Sequence, residues 1–159
     1  MRVAGIVFLL ASLLAMAGCA QPTRGEPAVT ASGAPAMTDR LEPCPATPNC
    51  VCSEYPDDAH AIAAFAFDGD AARAWTALRK AVEGLPRTKV IDAGSDRLKA
   101  ETRSALLRFV DDLDFRLDAS AGAIHVRSAS RVGYSDLGAN RKRVELLREL
   151  FDEQLRAQS

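Results

Sequence analysis

Between residues 97 and 131 the chain alternates polar and apolar side chains with few interruptions. Leu98, Ala100 and Thr102 share one parity against Arg97, Lys99, Glu101 and Arg103. In residues 110–118, Leu113, Phe115 and Leu117 oppose Asp112, Asp114, Arg116 and Asp118; in residues 123–131, Ile124 and Val126 oppose His125, Arg127 and Arg131. Successive side chains of a strand point to opposite faces. Three such segments joined by short turns therefore predict a meandering antiparallel sheet with one dry and one charged face. Two helical patterns supply a cover for the dry face. In residues 71–84, Trp75, Leu78 and Val82, with Leu85 beyond, recur at helical spacing; Asp70 can cap the start, and Gly84 and Pro86 stop the end. Residues 141–156 carry Val144, Leu147, Leu150, Phe151 and Leu155 as an apolar stripe. Residues 61–67 and 88–92 read as two further strands, each closed by a turn. The expected fold is α+β: a five-stranded antiparallel sheet with two helices on one face, in the order β-α-β-β-β-β-α.

The expected domain occupies residues 44–159, and what precedes it reads differently. Arg2 is followed by an apolar run over residues 3–16, shorter than the roughly 20 residues a spanning helix needs. Met16-Ala17-Gly18-Cys19 then resembles a bacterial lipobox, with Met16 where Leu is commoner. The reading is a signal peptide over 1–18 and lipidation of Cys19: a thioether-linked diacylglyceryl group and an acylated new amine, with palmitate-type chains. A plain secretory signal cut nearby is the alternative. Two or three acyl chains anchor stably where one binds marginally. Ala20 in place of Asp resembles an outer-membrane address in a cell that has one. Residues 19–43 contain Pro22, Pro27, Pro35 and Pro43 without hydrophobic period, and read as a flexible tether. The expected location is thus the bacterial cell envelope, on the lipid anchor.

Removing 18 of 159 residues leaves 141, with 19 basic against 21 acidic side chains. That excludes a nucleic-acid binder relying on bulk charge. Near-neutrality hides opposed segments: residues 44–70 carry Glu54, Asp57, Asp58, Asp68 and Asp70 with no base, while residues 119–143 carry five bases and only Asp136.

Three cysteines remain after Cys19. An oxidising envelope favours a disulfide. Cys44 with Cys50 closes a loop already stiffened by Pro45 and Pro48, whereas Cys50 with Cys52 makes a tight ring. Cys52 is then a buried thiol, an intermolecular pair or a reactive group. A three-thiolate metal site is the sharper alternative, but the spacing is not that of a zinc pair and His60 is the only nearby imidazole. No metal and no cofactor is expected.

Residues 127–143 are the most informative. Asn140 is a plausible helix N-cap, yet Arg141, Lys142 and Arg143 follow it, the wrong sign for a helix start. Either Asp111, Asp112 or Asp136 pairs with these bases, or an anion binds where first-turn N–H groups and guanidiniums meet. Gly133 and Gly138 would let the loop approach a ligand. The candidate anion or ligand site is Arg127, Arg131, Tyr134, Ser135, Asp136, Asn140, Arg141 and Arg143. Catalysis has little support. Asp111 and Asp112 are strand neighbours on opposite faces; His125 and Ser128 fall on opposite sides of one strand; Ser130 and Ser135 lack a placed base; and no nucleophile elbow or phosphate loop is present.

The segments CPATPNCVCS, RFVDD and VRSASRVGYSDLGANRKRVE are similar to those of the family called domain of unknown function 1499, over residues 44–150. The resemblance implies a mainly bacterial envelope protein, in some members lipid-anchored, with plastid members too; it implies no activity and no catalytic residues. The family pattern usually has Ser where this chain has Cys52, so Cys44 and Cys50 match the pattern and Cys52 is a local addition. The expected function is that of a lipid-anchored, non-catalytic binding or accessory module, not an enzyme. Its partners would be the membrane and an anionic small molecule or envelope protein, with no nucleic acid. Two alternatives stand beside it: an enzyme acting on an anionic envelope molecule at residues 133–143, and a structural module binding proteins through the charged sheet face.

Overall fold

The computed structural model describes residues 39–55 and 59–158. The expected signal peptide, the lipidation site Cys19 and the tether as far as residue 38 lie outside the described residues, as do Asp57 and Asp58. Eight elements follow in order: β1 (Cys50–Cys52), β2 (Phe65–Ala66), α1 (Ala71–Gly84), β3 (Thr88–Ala93), β4 (Arg97–Arg103), β5 (Val110–Asp118), β6 (Ala123–Ser130) and α2 (Ala139–Arg156). The fold is α+β, and all strand pairs are antiparallel in the sheet order β1-β6-β5-β4-β3, with β2 also on β6.

Register converts the alternation into rows. Leu98, Phe115 and Val126 are cross-strand partners in one row, and Ala100, Leu113 and Ser128 in the next. One row further, Thr102, Asp111 and Ser130 line up. The dry face therefore turns polar toward the β4–β5 loop. Over its apolar part both helices join one core. Ala74, Leu78 and Val82 of α1 and Val144, Leu147 and Phe151 of α2 pack with Phe65, Leu113 and Phe115. The Phe65 ring meets Phe151 edge-on at 5.5 Å between centroids, and Trp75 packs at the margin while donating from Nε1 to Gly94 O at 3.0 Å. Asp70 caps α1 as expected, accepting from the N–H groups of Ala72 and Arg73.

Three expectations need correction. The sheet has six strands, not five, because Cys50–Cys52 pairs with Ser128 and its neighbours on β6. The strand expected over 61–67 contracts to Phe65–Ala66. The carbonyls ahead of it bond instead to arginines of α2: Arg148 donates to Ala63 and Ala64, and Arg141 to Ala61 and Ala59. Finally, α2 begins at Ala139, and its cap position is Gly138 (φ 78°), not Asn140.

The charged face is partly covered. Residues 39–43, the last of the segment read as a tether, lie against the domain, with Leu41 buried. Arg116, outward by parity, is buried as well: its Nε and Nη2 donate to Glu54 Oε1 at 2.7 and 2.6 Å. Glu54 in turn accepts the Leu41 N–H. The Cys44–Cys50 disulfide closes the arm beside β1.

Candidate functional site

Asn140 is the centre of what the three motif segments build. It is fully buried. Its Nδ2 donates to Asn49 O at 2.9 Å, Ser130 Oγ at 3.0 Å and Asp136 Oδ2 at 2.8 Å. Its Oδ1 accepts from Ser128 Oγ at 2.5 Å and from Arg143 Nη1 at 2.7 Å. Arg143 Nη2 continues to Asp111 Oδ2 at 2.6 Å, and Asn49 Nδ2 donates to Gly133 O at 2.6 Å. The arm, β5, β6 and the start of α2 are thus joined by one polar network. A buried polar group needs such partners, since each one left unpaired costs about 1–3 kcal/mol.

The wrong-signed first turn is balanced from the same network. Asp136 accepts from the N–H groups of Gly138 and Asn140 at 2.9 and 2.7 Å. Burial pushes its carboxyl up, but these N–H groups and the Asn140 amide outweigh burial and hold it below the ordinary carboxylate value.

The eight candidate ligand residues divide among four places. Asn140 and Arg143 belong to the network. Arg141 is bound to backbone carbonyls. Arg127 and Arg131 stand on the opposite face of the sheet, as strand parity requires. There Arg131 binds Asp112 and Glu101, which together raise its already high pKa further. Arg127 Nη1 lies 3.7 Å from Asp114, and its Nε is buried without a partner among the described residues. Asp114 is pushed up by its burial, against the pull of Lys99 and Arg127. Arg40, Glu42 and Lys99 join these groups around a groove of about 570 Å³ in which both signs of charge are interleaved. Tyr134 and Ser135 remain together on the β6–α2 loop, beside Asp136, which also belongs to the network.

That loop faces the β4–β5 loop across a second groove of about 380 Å³, walled by Ser104, Phe109, Val132 and Ser135 over Asp111 and Asp136. An adjoining groove of about 430 Å³ runs past Leu85, Arg87, Lys142 and Leu146. The two share Ser104, Asp111 and Ala139 as walls. This end of the sheet is also where the backbone departs from rule. The three non-glycine residues with positive φ among the described residues are Arg87 (57°), Arg108 (55°) and Leu137 (53°), all on its loops. Left-handed backbone costs an ordinary residue about 1–2 kcal/mol, and such departures cluster at functional sites. Leu106 and Leu137, each 88% exposed, lie at the tips of the two loops, with Leu107, Tyr134 and Val132 exposed beside them.

Ser53 was not among the candidate nucleophiles, yet its Oγ lies 3.3 Å from His125 Nδ1. The same Oγ accepts the Val126 N–H at 2.9 Å, and neither residue lines any of the three grooves. Burial lowers the His125 pKa, favouring the neutral ring. Cys52 is a buried thiol whose pKa burial raises. With Cys44 and Cys50 oxidised, the three-thiolate alternative lapses.

A family model described as protein of unknown function (DUF1499) matches residues 40–151. No curated protein matches the chain.

Proposed function

Starting from a chain that belongs to the DUF1499 family, we propose a lipid-anchored envelope protein that binds a ligand at the membrane surface without transforming it. The lipobox-like Met16-Ala17-Gly18-Cys19 supports the anchor. Among the described residues no helix is long and apolar enough to cross a membrane, and Cys19 supplies the attachment in this reading. In a cell with two membranes, Ala20 favours the outer one, with the domain facing the periplasm.

One observation carries the binding role: the motif residues hydrogen-bond chiefly to one another, and the network they form holds two loops apart around an apolar-walled groove. Ser128, Asn140 and Arg143 have partners inside the protein, which suits a rigid support better than a reaction centre. The hydroxyl–imidazole pair Ser53 and His125 lines none of the three grooves described above, which weighs against the enzymatic alternative. The binding site in this reading is the pair of adjoining grooves. Phe109, Val132, Leu85 and Leu146 would receive an apolar chain, and Arg87 and Lys142 an acidic head. The favoured ligand is therefore an anionic amphiphile.

Two measurements test the two halves. Cys19→Ala should move the protein from the membrane to the soluble fraction; unchanged fractionation would refute the anchor. A short-chain phosphatidylglycerol below its micelle concentration should raise the melting temperature, and Ala139→Leu, at the shared wall, should abolish the rise. An equal rise in the variant would refute the groove.

A further inference from the structure

We propose that the loop end of the sheet is a docking face for a bilayer rich in anionic lipid; this deepens the reading of the chain as a membrane-surface module and rests on it. Leu106, Leu107 and Phe109 on the β4–β5 loop and Val132, Tyr134 and Leu137 on the β6–α2 loop are all exposed. They account for six of the eight large apolar side chains exposed among the described residues, and they occupy one end of the molecule. The described residues leave each of them about half or more exposed. They protrude from two separate loop tips on either side of a groove, a shape that enters the headgroup region of a bilayer more readily than it meets a flat protein surface.

Charge selects the occupant. At this end the acidic groups have internal partners: Asp111 binds Arg143, and Asp136 binds the start of α2. Arg108, between Leu107 and Phe109, and Lys142, on the first turn of α2, are exposed and have no carboxylate partner among the described residues. The outward charge of the rim is therefore positive, beside apolar and aromatic tips. That combination matches anionic headgroups over acyl chains.

The chain also reaches. Nineteen residues separate Cys19 from Asp39, a maximum span of roughly 65–70 Å. Asp39 binds Arg97 at the far end of β4, and the rim lies one strand length away, about 20 Å. A lipid on Cys19 and the rim can therefore occupy one bilayer together.

The test uses the mature chain without its lipidated first residue, residues 20–159, which contains every element of the fold. It is sedimented with vesicles of phosphatidylcholine alone and of an equimolar mixture with phosphatidylglycerol. Binding is expected to the mixed vesicles only. Leu106→Ser with Leu137→Ser should weaken it by at least about tenfold. Arg108→Gln with Lys142→Gln should weaken it and flatten its salt dependence. Leu107→Ser is the second apolar variant if the leucine pair misfolds, and a melting curve matching the parent certifies each variant. Absence of binding, or equal binding by the leucine variants, would overturn the proposal. A concentration-dependent dimer lost in the same variants would also overturn it, assigning the face to a second copy. Because no lipid is attached, the outcome is independent of the anchor: Cys19→Ala release without vesicle binding sinks the docking face alone, and vesicle binding without release sinks the anchor alone.

Discussion

Arg87, Arg108 and Leu137 hold left-handed backbone without the freedom of glycine, and the last two sit among exposed apolar neighbours. Selection for stability alone would place glycine there. We expect Leu137→Gly to raise stability by about 0.5–1 kcal/mol in urea unfolding while reducing vesicle binding, a trade-off a purely structural loop would not show. Parity along β6 already separates Arg127 and Arg131 from Ser128 and Ser130. The sequence was therefore sufficient to set Arg127 and Arg131 on the face away from Ser128 and Ser130. Asn140 was not legible in this way. A lone Asn before three bases has the form of an N-cap, and its burial depends on tertiary neighbours such as Asn49, 91 residues earlier, that no local pattern shows.

Among the elements, the long periodic ones were readable. The segments 97–103 and 110–118 became β4 and β5 with the expected bounds, and α1 took both its expected bounds and its Asp70 cap. Short elements were not, because three residues such as Cys50–Cys52 carry no period, and their strand character comes wholly from β6. The start of α2 depends on Asp136, two residues before Gly138, which makes its stability a matter of pH. The carboxyl is held below its ordinary value in the fold. Its contribution is therefore complete above the unfolded value of about 3.9 and is lost as pH falls through the lower native value. Asp136→Ala should cost about 1–2 kcal/mol at pH 7, and the difference from the parent should shrink below about pH 4 in urea titrations. A difference independent of pH would remove Asp136 from the helix start.

For the whole molecule, among the described residues, the acids of the stretch 44–70 form no ion pair with the bases of the stretch 119–143, although their opposed signs invite it. Glu54 goes to Arg116, and Asp70 caps α1. The bases at 131 and 143 meet acids of β4 and β5. Glu54 and Arg116 instead fasten the N-terminal arm over the charged face, whose cover no local pattern announces. Removing one partner of a buried pair costs about 3–5 kcal/mol, whereas replacing both with apolar groups is often neutral. Glu54→Ala should therefore lower stability by about 3 kcal/mol, near the bottom of that range because Asp118 also lies 3.5 Å from Arg116. Glu54→Leu with Arg116→Met should recover most of the loss in denaturant titration.

The claim on which the rest turns is that ligand enters at the loop end. Amide chemical-shift mapping of the unlipidated mature chain, titrated with short-chain phosphatidylglycerol, tests it directly. The largest shifts are expected on residues 104–109 and 131–142. Shifts centred on Lys99, Asp114 and Arg127 across the sheet, with the loop end unmoved, would contradict it.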